Sequence, residues 1–202
     1  MLSPGHAGGK RAGLLFRPEA RFDLAVSLRE ASVAVGALYT FVSGLYFRGK
    51  LAYVEAFAAP PEGLHAAYVI VPGRGLLPPH TPFTLEDFRK TADISIDLLE
   101  ARYREPLTRD ARSLAGAAGP ECEFVLLGSV ATPKYIEPLG EIFGSQLLFP
   151  KEFVGRGDMS RGGLMLRCSA SGNELEYVAV AGATLRGRRP AKLPKVGRSQ
   201  DR

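Results

Sequence analysis

The chain has 202 residues, of which 46% are hydrophobic and 23% charged, with two cysteines and a formal net charge of +5. That composition suits one folded domain with a substantial core and excludes bulk disorder. No apolar run approaches the roughly 20 residues that span a bilayer, and residues 1–11 lack the apolar stretch of a secretory signal, so the expected compartment is the cytoplasm.

The charge is unevenly placed. Residues 186–202 carry +6, Lys10 and Arg11 add two more, and the body between them is left at −3. Residues 1–12 and 186–202 lack apolar periodicity and read as a disordered N-terminal tail and a disordered basic tail around a single domain over 13–185. Cys122 and Cys168 each lie inside an apolar segment and read as buried free thiols.

Asp23 caps an expected helix whose apolar face is Leu24, Leu28, Ala31 and Val35. Phe47, Leu51, Val54 and Ala58 repeat that spacing, so residues 48–58 form a second helix ended by Pro60-Pro61. The continuous apolar run 66–71 is a buried strand. Thr84-Leu-Glu-Asp87 resembles a capping box, flanked by Phe83 and Phe88 as a staple, so a helix begins at Leu85.

A helix over 108–117 and a second buried strand over 122–127 follow. Pro133 suits the first position of the next helix, whereas Pro138 would fall beyond its first turn; either the helix bends or it starts near Pro138. Residues 146–149 form a short strand, and 163–169 with 174–180 read as a C-terminal β-hairpin around Ala170–Asn173. The alternation predicts an α/β fold of three layers with a mixed, mainly parallel sheet.

Ligands in open α/β sheets sit at the carboxyl ends of strands. Two such ends carry suggestive loops, one with Arg74 and Gly75, the other with Gly128, Ser129, Thr132, Lys134 and Tyr135. A helix after Thr132 would aim free N–H groups at an anion. The third element is the glycine-rich stretch 153–163, which holds Arg156, Asp158, Ser160 and Arg161 among four glycines. Glycine permits close approach of another group, and a guanidinium fork binds phosphate bidentately. The three loops are expected to converge on one pocket. The competing interpretation is a set of ordinary turns, with Thr132 and Asp158 capping backbone N–H groups.

Several chemistries are absent. Gly8-Gly9-Lys10-Arg11 lacks the spacing and hydroxyl of a phosphate-binding P-loop, and no dinucleotide fingerprint or nucleophile elbow occurs. His6, His65 and His80 are scattered, so no metal site and no cofactor are expected.

Leu45-Tyr46-Phe47-Arg48-Gly49-Lys50-Leu51, the strand at 67–71, Gly75-Leu76-Leu77-x-Pro79, and Gly128 to Lys134-Tyr135 follow one another in order. This succession resembles a small Rossmann-like bacterial and phage domain of unknown function. The resemblance implies a Rossmann-like fold and a nucleotide- or nucleobase-related ligand. The leading expectation is a protein that binds a small anionic ligand, a nucleotide or phosphorylated nucleoside, and that cleaves it if it is an enzyme. N-glycosidic hydrolysis is the first reaction to consider, with Asp158 as base. The alternative is a non-enzymatic module using its basic tail on nucleic acid while the body binds a protein.

Overall fold

The computed structural model describes residues 1–193. Its elements are α1 (Lys10–Leu15), α2 (Asp23–Glu30), β1 (Val33–Ala34), α3 (Val35–Ser43), α4 (Leu45–Phe57), β2 (Val69–Val71), β3 (Gly75–Leu77), β4 (Pro82–Phe83), α5 (Leu85–Ala92), α6 (Ala101–Ala118), β5 (Phe124–Val125), α7 (Pro133–Phe143), β6 (Leu147–Pro150), α8 (Asp158–Ser171) and β7 (Tyr177–Ala179). The fold is α/β, with helices predominating over short strands. Among the described residues, no helix is long and apolar enough to cross a membrane.

β2 and β3 form an antiparallel hairpin, β5 runs parallel to β6, and β7 runs antiparallel to β6. β1 and β4 make a separate antiparallel ribbon. Residues 1–3, expected to be a disordered tail, lie between the first two groups. Leu2 bridges Val69 on one side and Leu127 on the other, both in the parallel sense. Its N–H donates to Tyr68 O at 2.8 Å, and Ile70 N–H donates to Leu2 O at 2.9 Å. On the other flank Leu127 N–H donates to Met1 O at 2.8 Å and Ser3 N–H to Leu127 O at 3.3 Å. Leu2 is fully buried. Two apolar residues are too few to show periodicity, so this strand is defined by its neighbours rather than by its own sequence.

The capping box forms as expected. Asp87 N–H donates to Thr84 Oγ1 and Thr84 N–H to the Asp87 carboxylate, each at 3.1 Å. α7 starts at Pro133 and runs through Pro138. Proline lacks the N–H that would bond the carbonyl four residues back, which here belongs to Lys134. Tyr103 of α6 donates its hydroxyl to that carbonyl at 2.6 Å. A hydroxyl from the neighbouring helix thus replaces the lost backbone bond.

The expected C-terminal hairpin is not formed. Residues 158–171 are α8, and β7 pairs with β6 instead. Glycine obscured this, because the stretch ending at Gly162-Gly163 reads as a loop opening a strand at 163, although both glycines are helical. The reason for Gly162 is packing against α4. A Cβ on Gly162 would stand 2.7 Å from both Leu45 O and Tyr46 Cα, and one on Gly49 would stand 2.6 Å from Gly162 O. The two helices cross backbone to backbone, and neither position has space for a methyl group.

Candidate functional site

Close approach of α4 and α8 places the buried polar side chains of one beside those of the other. On α4, Tyr46, Lys50 and Tyr53 share the buried stripe with Phe47. Lys50 is fully buried. Its ammonium donates to Ser3 O at 2.7 Å and Ser3 Oγ at 2.8 Å, and stands 3.9 Å from the centre of the Tyr46 ring. Ser3 directly follows Leu2, at the carboxyl end of that central strand. Gly128, which follows Leu127 on the adjacent strand, lets Ser3 close in: a Cβ there would be 3.0 Å from Ser3 Cβ.

α8 contributes Asp158 and Arg161. Gly157 precedes the helix without a side-chain cap, and Asp158 occupies the first turn, where a carboxylate is favoured by the helix dipole. Arg161 is 5% exposed. Its Nε and Nη2 donate to Phe153 O at 3.3 and 3.1 Å, while Nη1 lies 3.5 Å from Asp158 Oδ1. Asp158 itself is 66% exposed.

These groups sense one another. Burial drives the Lys50 pKa down to about 7; Asp158 opposes that shift and Arg161 reinforces it. Burial pushes Tyr46 up to about 12, with Arg161 pulling it back and Asp158 adding to the rise. The Tyr46 hydroxyl, in a residue only 4% exposed, lies beside Arg161 and Ser3 but makes no hydrogen bond of good geometry. Tyr135 is raised by burial first and then by Tyr46 and Asp158. The first turn of α7, which carries Tyr135, thus lies within electrostatic reach of Asp158 at the start of α8.

Of the residues singled out from sequence, Gly128, Tyr135, Asp158 and Arg161 belong to this cluster. Arg156 and Ser160 flank it: Arg156 Nη1 donates to Ser160 Oγ at 3.3 Å, and Arg156 Nε is buried with no partner. Thr132 caps α7 by position without a side-chain bond. Lys134 Nζ stands 5.1 Å from the Tyr135 ring centre, and Ser129 is half-buried.

Arg74 and Gly75 are not gathered with the rest. Arg74 pairs with Asp87 at 2.6 Å and lines a cleft of about 570 Å³ with Lys90, Arg102 and Glu105. Gly75, at φ +76°, lies against Asp110, whose carboxylate accepts from Leu76 N–H at 2.9 Å. A Cβ at that position would collide with the Asp110 carboxylate and Pro106 O, so Gly75 admits α6 rather than a ligand.

Part of the expected basic tail packs on these loops. Arg186 Nε donates to Ala131 O at 3.2 Å, Gly187 abuts Val154, and the Arg188 carbonyl presses on Gly155. Lys195, Arg198 and Arg202 lie outside the described residues. Among the described residues, no group of three or more His, Cys, Asp or Glu side chains could hold a metal ion.

Sequence reasoning missed Ser3, Tyr46 and Lys50 as site residues. The available signal was a lysine on the apolar stripe of a helix, four residues after a tyrosine on the same face. Comparison with known protein families, with curated proteins and with solved structures gives no match.

Proposed function

We propose that this chain binds a small anionic ligand, a nucleotide or phosphorylated nucleoside, where the first turns of α4 and α8 meet the loop after Gly128. The observation that carries the reading is charge balance. Two buried cations, Lys50 and Arg161, face a single carboxylate, Asp158, which is largely in solvent. Buried charge without compensation is costly, and an anion supplies the missing partner. Two helix N-termini and the unpartnered Tyr46 hydroxyl add donors aimed the same way.

The scaffold in this reading is Rossmann-like: three layers around a mainly parallel sheet completed by residues 1–3. The two parallel bridges of Leu2 support it. Arg156 and Arg161 hold phosphate oxygens, and Ser129, Thr132, Lys134 and Ser160 contribute hydroxyl and ammonium contacts. Tyr135 orients the base, and Asp158 accepts a ribose hydroxyl or the proton of an attacking water. If the chain turns its ligand over, N-glycosidic hydrolysis is the reaction to assay first.

The test is thermal denaturation with matched nucleotides, nucleosides, sugar phosphates and inorganic phosphate. Phosphorylated compounds raise Tm while unphosphorylated partners do not, since a ligand that binds only the folded state stabilises it. Arg161→Ala and Lys50→Met each remove that response. Equal shifts from nucleoside and nucleotide, or an unchanged response in both variants, overturn the reading. Salt-sensitive nucleic-acid binding that disappears on deleting 186–202, with no response to nucleotides, replaces it with the tail-based alternative.

A further inference from the structure

A cavity whose lining includes none of Lys50, Asp158 and Arg161 opens beside the carboxyl-terminal half of α4. It holds about 570 Å³, within the range of small-molecule pockets. Tyr53, Phe57, Tyr68 and Tyr177 provide aromatic walls. Three exposed carboxylates, Glu121, Glu123 and Glu174, also line it. The chain has 26 Lys and Arg residues, yet among the described residues none of them lines this cavity. Met1 also lines it; its terminal nitrogen donates to Val125 O at 2.6 Å, and burial lowers its pKa to about 5, so it is an uncharged amine near neutral pH.

Leu175 N–H donates to the Tyr53 hydroxyl oxygen at 2.9 Å. The Tyr53 and Tyr177 hydroxyls lie 2.7 Å apart, and Tyr177 donates to Glu174 Oε1 at 2.6 Å. With its proton committed to Glu174, Tyr177 must accept from Tyr53, so both phenolic protons are used. What remains on Tyr53, Tyr177 and Glu174 is acceptor capacity only. Burial, and then the Glu174 bond, push the Tyr177 pKa well above its ordinary value, which keeps that proton in place. Among the lining side chains, Tyr68 keeps its hydroxyl proton, because it accepts from His65 N–H at 3.2 Å.

Helix direction agrees. α4 and α8 run the same way, since Tyr46 lies by Gly162 and Tyr53 by Leu175. Phe57 and Ala58 put the carboxyl end of α4 in the cavity wall, and Glu174 enters it three residues after α8 ends; the dipole of α4 favours positive charge there.

We propose that this cavity binds an organic ammonium ion: a primary or secondary amine, protonated, on an aromatic or alkyl body. The body packs on the aromatic walls, whose ring faces also attract the cation. The N–H groups fill the open acceptors of Tyr53, Tyr177 and Glu174. A neutral hydroxyl would fill only one of those acceptors and bring no charge to Glu174, and an anion would meet three carboxylates.

The experiment is calorimetric titration and thermal shift of the full chain with phenethylammonium, against phenethyl alcohol and phenylacetate. Phenethylammonium binds and raises Tm, the alcohol binds at least tenfold more weakly, and phenylacetate gives no shift. Glu174→Gln and Tyr177→Phe each weaken phenethylammonium about tenfold, the scale of one hydrogen bond to a charged group. Should either variant fail to fold, the exposed double change Glu121→Gln with Glu123→Gln decides, with an expected loss of severalfold. Equal binding of the alcohol, binding of phenylacetate, no binding of any probe, or carboxylate variants that bind as wild type would each overturn the proposal.

Discussion

The two ends of α4 share one helix, one buried stripe and one partner helix, yet their surroundings have opposite polarity. At the amino end, Tyr46 and Lys50 meet Arg161, and donors outnumber acceptors. At the carboxyl end, Tyr53 meets Tyr177 and Glu174, and acceptors outnumber donors. The tyrosines do not set that difference, because a phenol donates or accepts as needed. It comes from what lies at each end of α8: an arginine in its first turn, and a glutamate just past its last. Two helices running the same way over a glycine crossing add dipoles of matching sign at each end.

The strongest way to break this contrast is to disturb the crossing both ends share. Gly162→Ala forces a methyl group onto the Leu45 and Tyr46 backbone and is expected to cost about 2 kcal/mol in urea unfolding, with the phosphate and ammonium responses falling together. Gly116→Ala is the control of opposite sign. It sits exposed within α6 with nothing within 4 Å of a Cβ, so it should stabilise by about 0.5–1 kcal/mol.

Lys50→Met separates the ends. It should abolish the response to nucleotides, retain that to phenethylammonium, and leave Tm at neutral pH unchanged or higher, as replacing a buried charge by a hydrophobe of similar shape often does. The pH profile sharpens the same point. Lys50 titrates near 7 in the folded protein against 10.5 for the free side chain, so between those values the unfolded chain binds more protons. Stability from this group therefore rises with pH across that window, and the rise is absent in Lys50→Met. Anion affinity should fall as pH passes above 7, since the charged lysine is its partner. Both follow by thermal denaturation in matched buffers.

Tyr53→Phe tests the carboxyl end alone. Losing one hydroxyl from the Leu175–Tyr53–Tyr177 chain should cost about 1 kcal/mol and weaken ammonium binding while nucleotide responses stay as they were.

What the sequence revealed was local. Thr84 and Asp87 cap a helix through atoms three residues apart, and the apolar spacing from Phe47 to Val54 describes α4 without reference to anything else. What it concealed depended on distant neighbours. Gly162 is a helical residue because of Leu45 and Tyr46, and Pro138 stays in α7 with Tyr103 closing the freed carbonyl. The site shows the same division. Asp158 and Arg161 stood out by their glycine-rich setting, whereas the role of Lys50 rests on Ser3, 47 residues away along the chain.

Leu2 carries a consequence for how the chain acquires its shape. Its partners, Val69 and Leu127, are remote along the backbone, so the strand it belongs to forms only by closing two very long loops, a slow kind of step. A nascent chain halted after α6 would offer residues 1–3 with the flank that Leu127 covers left unsatisfied, and such bare edges recruit other chains. Early truncation of this protein should therefore yield aggregates rather than a smaller folded unit.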